Sequence, residues 1–115
     1  MVETASYIPK RGDVVRLTLT PQVGHEQAGR RPVLVLSPEG YNKKVGLALF
    51  CPLTNQSKGY PFEVLVPSDL PVSGVILADQ VKSLDWQGRR AEWICTLPTK
   101  LVAEVIQKLR VLLEQ

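Results

Sequence analysis

Six short apolar runs, at the roughly ten-residue spacing of small all-β domains, are followed by one stripe of apolar residues at helical period. That rhythm constrains the chain more than any other feature. A strand of five or six residues cannot bury its own apolar face, so such strands must pair and curl around a shared core. Asp13–Thr20 alternates, with Val15, Leu17 and Leu19 on one side and Arg16, Thr18 and Thr20 on the other, as in a half-buried strand. Pro32–Ser37 and Val45–Leu53 read as buried strands, with turn residues at Pro38–Gly40 and Asn42 between them. Phe62–Val66, Val75–Leu84 and Ala91–Leu97 add three more, the last with Ala91, Trp93, Cys95 and Leu97 on one face. From Pro98 the period changes: Leu101, Val102, Val105, Ile106, Leu109, Leu112 and Leu113 form one helical stripe. The pattern predicts a mainly-β barrel closed by a C-terminal helix.

At 115 residues the chain has the size of one compact domain able to bury a real core. Cys51 and Cys95 both sit in apolar runs, and no apolar leader or membrane-length stretch is present. These features predict a cytoplasmic protein with reduced core cysteines and no membrane association. Residues 1–60 carry eight Lys/Arg against four acids, and residues 61–115 carry six against seven. The basic half points to an anionic partner such as a nucleic acid.

Most common enzyme chemistries find no support. There is one histidine, His25, and no clustered His/Cys/carboxylate set of the kind that holds zinc or iron. The carboxylates are scattered, whereas two-metal nucleases gather several in one pocket. A phosphate-binding loop, a dinucleotide fingerprint and a nucleophile elbow are all missing. No metal and no cofactor is expected.

Two segments remain chemically loaded. Gly24-His25-Glu26-Gln27-Ala28-Gly29-Arg30-Arg31-Pro32 places a carboxylate, an amide and two guanidiniums in one loop. A guanidinium fork suits phosphate oxygens, and Glu26 and His25 are both plausible proton acceptors. Pro52-Leu53-Thr54-Asn55-Gln56-Ser57-Lys58-Gly59-Tyr60-Pro61 is a polar loop at a strand end. Thr54, Gln56 and Ser57 can donate to phosphate or base edges, Lys58 supplies charge and Tyr60 a stacking face. Arg16, pointing outward from the first strand, and Lys82, at the end of the fifth, would extend an RNA groove. Trp86 and Trp93 read as core or interface residues, and Arg89-Arg90 as a solvated turn.

Together these segments resemble the MazF (Kid/PemK-type) toxin family over nearly the whole chain. The resemblance rests on Arg11-Gly12-Asp13-Val14-Val15, on Gly24 to Ser37, on Pro52-Leu53-Thr54, on Gln56 to Val64 and on Val75 to Ser83, in that order. It implies an SH3-like β-barrel with a C-terminal α-helix, forming a homodimer that cuts single-stranded RNA at specific sequences. It also implies that Arg31 and Thr54 are the central catalytic pair, with Glu26 taking part in proton transfer. Gln27, Arg30, Gln56, Ser57, Lys58, Lys82 and Arg16 are then candidate RNA contacts. An acidic, partly disordered antitoxin of the MazE type is the implied protein partner.

Without a metal to generate hydroxide, the nucleophile at hand is the 2′-OH of the substrate itself. Glu26 would take its proton, Arg31 would stabilise charge on the phosphorane, and Thr54 would orient the phosphate. The alternative is a non-enzymatic toxin of the same fold that binds a protein target such as DNA gyrase.

Overall fold

The computed structural model describes residues 7–19 and 29–115. Seven strands and two helices follow in the order β1 (Asp13–Thr18), β2 (Arg30–Val35), α1 (Glu39–Val45), β3 (Leu47–Thr54), β4 (Glu63–Leu65), β5 (Val75–Leu77), β6 (Lys82–Asp85), β7 (Glu92–Thr96) and α2 (Thr99–Leu113). Every strand pair is antiparallel. The sheet runs β4-β5-β3-β2-β1-β7, with β6 pairing along β3. The architecture is mainly β with one long C-terminal helix, as the apolar rhythm predicts; the sheet curls like a barrel without closing.

Alternation along the strands splits the apolar residues between two faces. Val14, Leu34, Cys51, Leu53, Ile76 and Cys95 form one core with Leu101, Val102 and Val105 of α2. Val15, Leu17, Val33, Val35, Ala48 and Phe50 form a second, on the other face, capped by Trp86. Each fully buried aliphatic side chain contributes roughly 1.5–3 kcal/mol, so both faces are strongly specified. The last turn of α2 departs from the predicted stripe: Leu112 and Leu113 are exposed, carried beyond the core that the earlier turns cover.

The structure corrects four local expectations. Pro38–Gly40 and Asn42 do not form a turn but lie in and before the short helix α1. Pro38 precedes it, Glu39 opens its first turn, Lys43 and Lys44 sit in its last, and Gly46 ends it in the left-handed region. Seven residues are too few to show helical period in a sequence. Val75–Leu84 is two strands, because the chain turns at Ala78–Val81 and changes register along β3, from Leu53↔Ile76 to Phe50↔Lys82. Trp93 is exposed, not interior: a bulge between Val14 and Val15 breaks the β1–β7 register, and the alternation that groups Trp93 with Cys95 fails there. Arg89 is half-buried and donates to the Thr18 carbonyl, so Arg89-Arg90 is not simply a solvated turn.

Candidate active site

Arg31 and Thr54 are strand residues, not loop residues. The β2–β3 register pairs Val35 with Phe50 and Val33 with Pro52. Carried two residues further, the same register sets Arg31 across from Thr54, the last residue of β3. Opposed positions in an antiparallel pair lie about 5 Å apart at Cβ, within reach of a common ligand. Arg31 shares the face of Val33 and Val35, which is the face away from α2. At this end of the sheet the second core gives way to polar groups.

Thr54 is almost completely buried. Its Oγ1 accepts the backbone N–H of Gln56 at 3.1 Å, which fixes the hydroxyl and leaves its own proton to be donated. Lys82 pairs with Phe50 and so joins the same face. The same face carries a pocket lined by Val33, Phe50, Pro52, Gln80, Lys82 and Arg89. Gln56, Ser57 and Lys58, one residue beyond Thr54, are exposed. By strand alternation Arg31, Thr54 and Lys82 therefore share one sheet face, with the exposed 56–58 loop just beyond the end of β3.

Two of the sequence candidates are not gathered there. Arg30 pairs with Thr18, and Arg16 with Pro32 and Glu92, on positions that alternate with those of Arg31 and Leu17. Arg30 is also tied down: it donates to Thr18 Oγ1 at 3.1 Å and to the carbonyls of Arg89 and Arg90 at 3.2 and 2.6 Å. Glu92 lies 3.6 Å from the same guanidinium. These bonds anchor the 86–90 turn, and with it Arg89, against β1. Glu26, Gln27 and the rival base His25 lie outside the described residues.

Three further residues shape the site. Glu63 accepts hydrogen bonds from Ser57, Lys58 and Gly59. The Lys58 amide first and the Ser57 hydroxyl second hold its carboxyl below the usual glutamate range. Tyr60 donates to Asp79 at 2.8 Å, and burial together with that bond pushes its phenol up to about 12. Gly74 packs against the Thr54 backbone. A carboxylate a few residues beyond a Ser-x-Gly loop was the readable sign of Glu63; nothing local marks Gly74, whose partner is twenty residues away. Among the described residues, no three His, Cys, Asp or Glu side chains converge on a common metal position. No helix among them is long and apolar enough to cross a membrane.

Comparison with known proteins places this chain in a family. Residues 10–113 match the family described as PemK-like, MazF-like toxin of type II toxin–antitoxin system. The endoribonuclease toxin MazF of Escherichia coli (strain K12) is 46% identical over 107 residues, spanning 93% of this chain and 96% of that protein. The crystal structure of MazF from Deinococcus radiodurans superposes with a TM-score of 0.91 at 55% identity, covering 96% of this chain and 100% of that one. A MazE–MazF crystal structure from the same organism matches at a TM-score of 0.84 and 50% identity, over 94% and 97% of the two chains. The chain belongs to the PemK-like, MazF-like toxins of type II toxin–antitoxin systems.

Proposed function

We propose that this protein is a cytoplasmic endoribonuclease toxin that cuts single-stranded RNA at specific sequences without a metal, using Arg31 and Thr54 as its catalytic pair. The observation that carries this reading is the β2–β3 register, paired down to Val33 and Pro52, whose continuation would bring Arg31 and Thr54 to facing positions at the ends of their strands. The names of its relatives support catalysis over protein-target binding: the Escherichia coli proteins at 46% and 30% identity are endoribonucleases MazF and PemK.

The chemistry follows from those groups. The 2′-OH of the nucleotide before the cut attacks phosphorus and loses its proton to Glu26, with His25 the competing acceptor. The P–O5′ bond breaks, and the departing oxygen takes up a proton to become a 5′-hydroxyl. The other fragment keeps a 2′,3′-cyclic phosphate. Arg31 stabilises the negative charge that builds on the phosphorane, since its very high proton affinity makes it a poor acid but a constant cation. Thr54 Oγ1 donates to a non-bridging oxygen and fixes the phosphate for in-line attack.

We take the working unit to be a symmetric homodimer, with the groove between copies completing the RNA path. The MazF of Deinococcus radiodurans is crystallised with MazE, and an acidic antitoxin of that type is the partner proposed for this chain. Incubation of the purified protein with mixed-sequence RNA in excess EDTA tests the reading. Discrete cuts with 2′,3′-cyclic phosphate and 5′-OH ends support it, and a single 2′-deoxy substitution before the cut should abolish them. Ends bearing 5′-phosphate, or activity restored only by magnesium, would overturn the mechanism; uncut RNA would overturn the assignment.

A further inference from the structure

The loop between Thr54 and β4 hangs on one carboxylate. Glu63, first residue of β4, accepts Ser57 Oγ at 2.7 Å and Gly59 N at 3.0 Å on one oxygen, and Lys58 N at 2.8 Å on the other. Gly59 adopts a φ of 73°, which turns successive amides toward a single point, as in backbone nests that hold anions. The far end of the loop is fixed independently. Tyr60 donates to Asp79 at 2.8 Å, and Lys108 Nζ of α2 donates to the Pro61 carbonyl at 2.6 Å.

A carboxylate beside an RNA path would repel the phosphates unless its charge were absorbed. Here three donors absorb it. Ser57 spends its hydroxyl proton on Glu63, so it acts as a strut and not as an RNA donor. Lys58 is held through its backbone amide while its side chain remains exposed. The arrangement orders the loop before substrate arrives, and ordering in advance removes an entropy cost from binding.

Resting on the endoribonuclease reading, we propose that Glu63 is a positioning residue for substrate: it fixes residues 57–59 beside Thr54 so that Lys58 meets an RNA phosphate. Glu63 touches no reacting atom; it acts through Lys58. Removing it should therefore weaken substrate binding and leave the chemical step nearly intact.

The test uses the full chain, an oligoribonucleotide it cuts, and the variants Glu63→Ala, Glu63→Gln, Lys58→Ala and Glu63→Ala/Lys58→Ala. Glu63→Ala should raise KM about five- to tenfold with kcat within about twofold. Glu63→Gln should fall between, because its amide oxygen still accepts from part of the loop. Lys58→Ala should raise KM in the wild type but add less than about twofold in the Glu63→Ala background, since coupled residues are not additive. Amide exchange at Lys58 and Gly59 should be slow in the wild type and fast in Glu63→Ala. A Glu63→Ala protein with unchanged KM, effects of the two substitutions that simply multiply, or amides that stay protected would each overturn the inference. Should Glu63→Ala not fold, Glu63→Gln carries the same comparisons. An inactive wild type overturns the endoribonuclease reading and this inference with it. A cutting wild type beside a variant of unchanged KM overturns this inference alone.

Discussion

Gly74 lies so close to Thr54 that a methyl group on its α-carbon would sit well inside van der Waals contact distance of the Thr54 carbonyl oxygen and 2.8 Å from Asn55 Oδ1. The backbone there has a φ of 95°, which a side chain would strain as well. Asn55 is held from the same segment by Ser73, whose hydroxyl donates to it at 2.9 Å. Residues 73–74 thus back Thr54 as a wall. Gly74→Ala should cost about 1–3 kcal/mol of stability and slow RNA cleavage by displacing Thr54. A urea unfolding curve and a cleavage assay on the same sample check this. An unchanged midpoint with full activity would mean that Thr54 does not depend on this wall.

Arg31 is exposed, so its loss should leave the fold intact. Arg31→Ala should lower kcat by about a hundred- to a thousandfold, the usual effect of removing a charge stabiliser from the transition state. Arg31→Lys keeps the charge but not the planar fork and should recover only part of the rate. Thr54→Ser keeps the hydroxyl and should stay active, whereas the near-isosteric Thr54→Val should not. Folded Arg31→Ala that cuts at the wild-type rate would remove this residue from the mechanism.

Asn42 is a buried polar hub that the catalytic chemistry does not use. Its amide nitrogen donates to the carbonyls of Pro9 and Ser37 at 2.8 and 3.0 Å, and its side-chain oxygen accepts the Ser37 hydroxyl. Trp86 Nε1 donates to its backbone carbonyl at 3.0 Å. Asn42→Leu should cost about 1–3 kcal/mol for each partner left unpaired, lowering the thermal midpoint without changing the cleavage site. Trp86 fluorescence reports the loss as α1 loosens.

Cys51 is free and buried, and burial, with Asp79 adding to it, pushes its thiol up to about 12. Cys95 is also free, and burial raises its thiol as well. A thiol-specific dye at neutral pH should find neither in the native protein and both in denaturant. The sign of the linkage is set by the raised value: the folded state holds a proton that the unfolded chain releases near pH 9. Stability from this group is therefore complete below that pH and declines as the pH rises toward 12. Cys51→Ala should flatten the alkaline limb of the stability curve; an unchanged limb would show that other groups produce it.

What the sequence determined by itself is whatever depends on neighbours along the chain. Alternation at Val15 and Leu17 marks β1, the stripe Leu101–Val102–Val105 marks α2, and the ordered motifs around Arg31, Thr54 and Val75–Lys82 mark the family. Alternation fails where pairing interrupts it. The bulge in β1–β7 turns Trp93 outward, and the turn at Ala78–Val81 breaks a continuous apolar run into two strands. Adjacent arginines look interchangeable in a sequence, yet strand pleating sends Arg31 to the face of Thr54 while Arg30 binds the 89–90 turn. The supports of the site are less legible still. Glu63 needs a folded loop before its three donors converge, and Gly74 matters only once β5 lies against Thr54. Local periodicity records how each segment meets water, whereas hydrogen bonds and close backbone approach between distant residues exist only after the strands have paired, and those decided the geometry of the site.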